Sequence, residues 1–268
     1  MIRLALRVRR ADAELVLAEL LELAPNGVEE TAHDDVVEFA VYGWPGEVPA
    51  LPALQAVAGE ALVDVETTEI PDDWTDGWKR FHQPVTVGER LYVRPPWADA
   101  APADLLDLVI DPGQAFGTGS HRTTRMCLEL MLELEPGGPF ADLGCGSGVL
   151  GVAAAKLGWD PVFAVDHEPA SVEAAQANAR ANGVALDVRR VDLRRDPAPN
   201  ASTVAANLLR PLLLGVAETL VDLPHHLIAG GLLVGEADEV AAAFASRGLA
   251  ELERRQEGDW AALLLRRG

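Results

Sequence analysis

Apolar and polar positions change period several times along this chain. Ile2, Leu4, Leu6 and Val8 alternate with Arg3, Arg7 and Arg9, which predicts a half-buried strand. Asp12 can cap an amphipathic helix running to about Leu23, and Pro25-Asn26-Gly27 ends it. Two short strands follow, near Val28–Thr31 and Val36–Val41, joined by the turn-like Ala32-His33-Asp34-Asp35. A helix near Leu51–Gly59 and a strand near Leu62–Thr68 complete a β-α-β-β-α-β order, the ferredoxin-like arrangement.

After residue 70 the pattern breaks. Ile70 to Arg80 holds a proline and two tryptophans, Trp74 and Trp78, spaced i and i+4 on one face of a short helix that is expected to pack the connector onto a domain, with substrate contact as the alternative. Strands are expected at Arg90–Val93 and Leu105–Ile110, and an apolar helix through Met126, Leu130 and Leu134 is expected to start at a Ser120 cap. Apolar runs at Val162–Val165 and Thr203–Ala206 alternate with helical stretches, which predicts a doubly wound α/β sheet. Leu249–Arg255 and Trp260–Leu265 flank Gln256-Glu257-Gly258-Asp259 as a closing antiparallel hairpin. The domain organisation expected is a small α+β domain over 1–69, a connector over 70–96 and a larger α/β domain over 97–268.

Composition narrows the function classes. The chain has 268 residues, 49% of them apolar, enough for two ordinary domains with real cores. The N-terminal residues alternate apolar and basic positions and no apolar run approaches 18 residues, so a cytoplasmic location without membrane contact is expected. A net charge of −20 disfavours binding to duplex nucleic acid and favours a basic partner, or none, with the acidic surface serving only solubility. The first 70 residues alone hold 4 Lys and Arg against 14 Asp and Glu. Phe39 and Tyr42 are isolated in that acidic field, unlike the base-stacking aromatics of RNA-binding domains, so a protein-binding module is expected there. Cys127 and Cys145 are too few for a disulfide framework or metal cluster and read as structural.

Candidate chemistry begins at Ala141-Asp142-Leu143-Gly144-Cys145-Gly146-Ser147-Gly148-Val149-Leu150, a strand entering a glycine turn that opens a helix over 148–157. Asp166 ends the next apolar run, 22 residues past Gly144. Glycines such as Gly144 and Gly146 let the backbone approach a ligand, the helix start supplies free N–H groups, and a carboxylate at 166 can accept bonds from ribose hydroxyls. The dinucleotide fingerprint needs a third glycine where Val149 stands, which disfavours a nicotinamide cofactor. The G-x-G-x-G spacing instead resembles the class I methyltransferases, which bind S-adenosylmethionine.

A second motif, Asp111-Pro-Gly-Gln-Ala-Phe-Gly-Thr-Gly-Ser-His-Arg-Thr-Thr124, joins a glycine-rich loop to a helix start. Such a loop suits an anion, and Thr123 or Thr124 can donate hydroxyl bonds beside the free N–H groups. His121 has no ligand partner at metal spacing, so it is read as bonding within the loop and no metal is expected. With the glycine turn and Ala205-Ala206-Asn207-Leu208, this loop is similar to the ribosomal protein L11 methyltransferase family over nearly the whole chain. The resemblance implies a Rossmann-like methyltransferase domain, a small N-terminal domain that grips the protein substrate, and methylation of lysine side chains and the N-terminus of ribosomal protein L11. It also implies that Phe116, Gly117 and Thr124 contact the cofactor, that Gly144 and Asp166 hold its amino-acid and ribose portions, and that Asn207 sits beside the reacting methyl group.

Asn207 has its own rationale. It ends the run Thr203-Val204-Ala205-Ala206 at the carboxyl end of an expected central strand, where open α/β sheets place ligands, and its amide can orient an amine; the alternative is a helix cap before Pro211. Related enzymes acting on glutamine or nucleobase amino groups carry Asn-Pro-Pro-Tyr here, whereas this chain has Asn207-Leu208-Leu209-Arg210, which agrees with an aliphatic amine. Gly230 to Asp238 is expected as the connection from the fifth strand of the larger sheet to its next helix, shortened relative to the family and bordering the site near Gly235. A small-molecule amine methyltransferase and a non-catalytic cofactor-binding relative remain as alternatives.

Overall fold

A computed structural model describes residues 2–13, 16, 17, 20, 28–33, 35–43, 58–69, 82–112, 119 and 121–268. The chain divides into two compact units, Met1–Phe81 and His82–Gly268.

In the first unit β1 (Ile2–Arg9), β2 (Glu29–Ala32), β3 (Val36–Gly43) and β4 (Leu62–Glu69) form an antiparallel sheet of order β2-β3-β1-β4. The alternation in β1 places Leu4, Leu6 and Val8 in one core with Val37 and Phe39, and Leu6 lies directly opposite Phe39. On the other face Glu38 is buried between Arg3 at 2.5 Å and Arg7 at 2.7 Å. Burial alone would raise the Glu38 pKa, but the two guanidinium bonds outweigh it and hold the carboxyl below its ordinary value. Arg7 also reaches Asp64 and Glu66 on β4, so one side chain ties three strands. The ferredoxin-like arrangement expected here also calls for two helices. Its expected helices lie largely outside the described residues, although Ala13, Val16, Leu17 and Leu20 are helical. Pro25–Gly27 and the Trp74 and Trp78 connector helix also lie outside them.

The second unit starts earlier than expected. Strands β5 (Val85–Val87), β6 (Leu91–Arg94) and β7 (Leu106–Val109) form a small sheet, and Val87, Leu91 and Val93 are buried in the main core of this unit. Residues 82–96 are therefore part of the larger unit, and its boundary moves from 97 to 82. A bidentate pair between Arg94 and Asp107, at 2.8 and 2.7 Å, locks β6 to β7.

The larger sheet contains β8 (Phe140–Leu143), β9 (Val162–Asp166), β10 (Asp187–Arg190), β11 (Thr203–Asn207), β12 (His226–Leu233), β13 (Leu249–Glu257) and β14 (Trp260–Arg267). Its order is β10-β9-β8-β11-β12-β14-β13, the first five strands parallel and the final hairpin antiparallel. Both faces are covered, by helices α1 (Arg122–Leu132), α2 (Val149–Leu157), α3 (Pro169–Ala181), α4 (Arg210–Thr219) and α5 (Ala237–Ala245). Central strands therefore read as continuous apolar runs: Ala205 and Ile228 pack with Met126 and Val152, while Val204, Ala206 and Leu227 pack with Leu213, Val240 and Phe244.

Two sequence expectations are corrected. Gly230–Leu233 belongs to β12 rather than to a loop, and only Val234–Glu236 separates the strand from α5. The closing hairpin turns on Gly258 and Asp259 alone, because Glu257 pairs with Trp260 and Gly258 adopts φ 61°.

Asp142, in the middle of this core, explains how α2 begins without a side-chain cap of its own. Its Oδ2 accepts the Gly151 N–H at 2.9 Å, satisfying a first-turn donor from across the sheet. Burial raises its pKa to about 7 despite the stabilising Gly151 bond, with the nearby Asp166 charge adding to the rise. The native state thus holds this proton where the unfolded chain, with a pKa of about 3.9, has lost it. The resulting stability is fully present below pH of about 4 and is lost as pH rises through about 7. Asp142→Asn, which keeps an acceptor without the charge, should flatten that fall and be about 1–3 kcal/mol more stable than the parent at pH 8. Urea unfolding at pH 5 and pH 8 checks this; equal pH slopes in the two proteins would contradict it.

Candidate active site

Strand order reverses between β8 and β11. The chain runs outward from β8 through β9 to β10, then crosses to the other side of β8 to enter β11. Helices leave in opposite senses from these neighbours, so a crevice opens at their carboxyl ends. Leu143 pairs with Ala206 there, which brings Gly144 and Asn207 alongside each other.

The turn after β8 is built on positive φ, at 69° for Gly144, 51° for Gly146 and 79° for Gly148. Only glycine adopts this run without strain. Gly148 is the N-cap of α2, one residue ahead of the helix, and a side chain there would come within 2.9 Å of Ala175 on α3. The turn is held from both neighbouring elements. Gly144 and Cys145 donate their N–H groups to the Val165 carbonyl at 2.8 and 3.0 Å, and Asn178 of α3 donates to Ser147 O at 2.9 Å.

Asp166 ends β9 as expected and is buried. One carboxylate oxygen accepts the Gly146 N–H at 3.0 Å and the other accepts the Glu168 N–H at 3.0 Å. A carboxylate has about four acceptor positions, so capacity remains for two hydroxyl donors.

Helix α1 brings the fourth element to the crevice. Its cap is His121, not Ser120, which lies outside the described residues. His121 Nδ1 accepts the Thr123 N–H at 3.3 Å and lies 2.7 Å from the Thr123 hydroxyl. Burial, reinforced by Arg122 and Arg125, lowers the His121 pKa and keeps the ring neutral enough to accept. Trp260 meets the ring edge-on, with centroids 5.0 Å apart. Thr124 is fully buried, and its Oγ1 accepts a bond from Asn207 Nδ2 at 3.3 Å.

Asn207 is not a helix cap, since Leu209 occupies that position for α4. Its Oδ1 is buried and has no hydrogen-bond partner among the described residues. An unsatisfied buried acceptor costs about 1–3 kcal/mol, which a site waiting for a donor explains. The expected residues Thr124, Gly144, Gly146, Asp166 and Asn207 are thus all at the carboxyl ends of the central strands or the start of α1, while Phe116 and Gly117 lie outside the described residues. Sequence reasoning missed the Asp142 bond to α2 and the seating of Leu208, whose side chain lies directly over Gly144. The Gly230-Gly231 pair was the available signal for the second.

Cys127 and Cys145 are both free and buried, and burial pushes both thiols upward, so neither is a nucleophile at neutral pH. No group of three or more His, Cys, Asp or Glu among the described residues could hold a metal ion.

Comparison with known proteins agrees with this arrangement. The family model described as "Ribosomal protein L11 methyltransferase (PrmA)" matches residues 48–268. A ribosomal protein L11 methyltransferase of Marinobacter nauticus is 40% identical over 216 residues, covering 78% of this chain and 72% of the relative. One from Burkholderia ambifaria is 34% identical over 290 residues, covering 97% and 96%. The crystal structure of a ribosomal protein L11 methylase from Lactobacillus delbrueckii subsp. bulgaricus superposes with a TM-score of 0.62 and 27% identity, covering 70% of this chain and all of that one. Family match, near-full-length relatives and shared architecture together make this chain a member of the ribosomal protein L11 methyltransferase family.

Proposed function

We propose that this chain transfers methyl groups from S-adenosylmethionine to amino groups of ribosomal protein L11, on lysine side chains, the N-terminus or both. The observation that carries this reading is the buried Oδ1 of Asn207 at the switch point, beside the glycine turn and without a hydrogen-bond partner among the described residues. It is an acceptor in need of an N–H donor, and an amine supplies one.

The crevice fits the cofactor. The positive-φ turn brings backbone close to a ligand without side chains, and the buried Asp166 carboxylate retains acceptors for ribose hydroxyls. The start of α2 offers its dipole and N–H groups to a carboxylate. Phe116, Gly117 and Thr124 complete the cofactor contacts. When bound, S-adenosylmethionine supplies an electrophilic methyl on a sulfonium, so the protein need not generate a strong nucleophile.

Alignment and desolvation remain for the protein. A lysine with pKa of about 10.4 is neutral in only about one molecule in 2500 at pH 7. Burial favours the neutral amine, and the Asn207 carbonyl can take one remaining N–H and aim the lone pair along the transfer axis. Thr124, by holding the Nδ2 end, sets which way that carbonyl faces.

The first unit is assigned to substrate recognition as a ferredoxin-like domain. Its acidic surplus suits a basic protein rather than duplex nucleic acid. No helix among the described residues is long and apolar enough to cross a membrane. Action in the cytoplasm is proposed from the ribosomal-protein substrate.

Incubation with labelled S-adenosylmethionine and ribosomal proteins from a methyltransferase-deficient source should place label on L11 lysines or its N-terminus, read by mass spectrometry. Label on no protein, despite cofactor binding, would move the reading to a small-molecule substrate or a silent relative. Asp166→Ala should weaken cofactor binding roughly tenfold or more, since two turn N–H groups also lose their acceptor. Asn207→Ala should leave cofactor affinity within about twofold and lower kcat by about 10²-fold. Calorimetry and steady-state kinetics separate the two, and equal affinity losses would contradict the roles.

A further inference from the structure

Gly230 and Gly231 interrupt β12 at a point where the chain makes no turn. Toward β11 the strand stays in register, with Gly230 opposite Asn207. Toward β14 the pairing shifts between Ala229 and Leu232, which marks a bulge.

The two glycines are there for different reasons. Gly231 has φ 78°, and a side chain on it would sit 2.6 Å from the Leu208 carbonyl oxygen and 2.9 Å from the Leu208 carbonyl carbon. It needs both the conformation and the space. Gly230 has ordinary backbone, so only space matters: a side chain would lie 2.9 Å from Asn207 Oδ1 and strike Cys127 Sγ. The Leu208 N–H donates to Gly230 O at 3.2 Å, and the Leu208 side chain closes over Gly144, where a β-carbon would strike its Cδ2. Asn207 and Leu208 are therefore clamped between β12 on one side and the glycine turn on the other, with Thr124 at the amide's far end.

We infer that the Gly230-Gly231 bulge is a positioning element for the transfer reaction: it sets the direction of the Asn207 amide and seats Leu208 on the cofactor turn. The inference rests on the methyl-transfer reading for its consequence in rate, but its geometric content does not. The missing side chain at Gly230 leaves room for Oδ1, Thr124 holds the Nδ2 end, and Oδ1 is left without a hydrogen-bond partner among the described residues.

The test compares the full-length parent with Gly230→Ala, Cys127→Ala, the double variant Gly230→Ala/Cys127→Ala, and Gly215→Ala as a control whose added methyl meets nothing within 4 Å. Four readouts are taken: the Asn207 side-chain NH₂ resonances, identified by their loss in Asn207→Ala; S-adenosylmethionine affinity by calorimetry; kcat with KM; and the melting temperature. Gly230→Ala should shift or broaden the amide pair and lower kcat by about 10-fold to 100-fold, with cofactor affinity within about twofold. Removing the Cys127 sulfur in the double variant should restore the melting temperature but neither the amide signal nor kcat, because the contact with Asn207 Oδ1 persists. Gly215→Ala should match the parent. Recovery of kcat and the amide signal in the double variant would reduce Gly230 to core packing and overturn the inference, as would an unmoved amide pair in Gly230→Ala. If the parent transfers no methyl while the amide pair moves as expected, the functional reading falls and the positioning of Asn207 stands.

Discussion

A buried carboxylate joined to two backbone N–H groups holds the crevice together. In the turn after β8 the Gly144 and Cys145 amides reach the Val165 carbonyl of β9, whereas the Gly146 amide needs a side-chain acceptor, and such a donor costs free energy if left unmade. Asp166 takes the Gly146 N–H with one oxygen and the Glu168 N–H with the other, so the end of β9 fixes both the glycine turn and the loop that opens α3. The start of α2, the packing of Gly148 on Ala175 and the seat for Leu208 all follow from where that turn lies.

Two aspartates close together divide the work by environment. Asp142 is fully enclosed, meets one helix donor and is pushed toward the neutral acid, which suits a structural acceptor inside the core. Asp166 lies at the mouth of the crevice with spare acceptor positions. The same logic isolates Asn207. Four buried side-chain polar atoms among the described residues lack a partner, on Trp159, Asn207, Arg210 and Arg255, and of these only the Asn207 oxygen sits at the switch point of the sheet. Methyl transfer to an amine asks for an oriented acceptor rather than a strong base, and that is what the crevice offers.

Charge follows a parallel division. Many arginines are engaged with carboxylates on their own surface: Arg7 with Glu38 and Asp64, Arg210 with Glu236 and Glu239, Arg254 with Asp238 and Glu251. Apart from the pair at the buried Glu38, these exposed pairs contribute little stability individually. Their consequence is that the surplus of 42 acidic over 22 basic residues is left to set the long-range field, which favours approach by a basic protein.

Much of this was legible in the chain. Most strand positions, the closing hairpin, the turn with Asp166 22 residues beyond Gly144, and Asn207 at the end of a central strand follow from periodicity and spacing, because those signals are local, whereas β5 and β10 were not read from the sequence. What escaped depends on residues far apart in sequence. Residues 82–96 resemble a connector until Val87, Leu91 and Val93 find the core. Ser120 is the better cap by propensity, yet His121 takes the role, its ring held edge-on by Trp260. Gly230-Gly231 reads as a loop because glycine weakens a strand, whereas the fold uses the missing side chains to admit Asn207 and Leu208 from the neighbouring strand. Sequence by itself determined most of the elements and placed Asp166 and Asn207 at strand ends; tertiary structure decided where those side chains point, since direction is set by contacts across strands that no local pattern encodes.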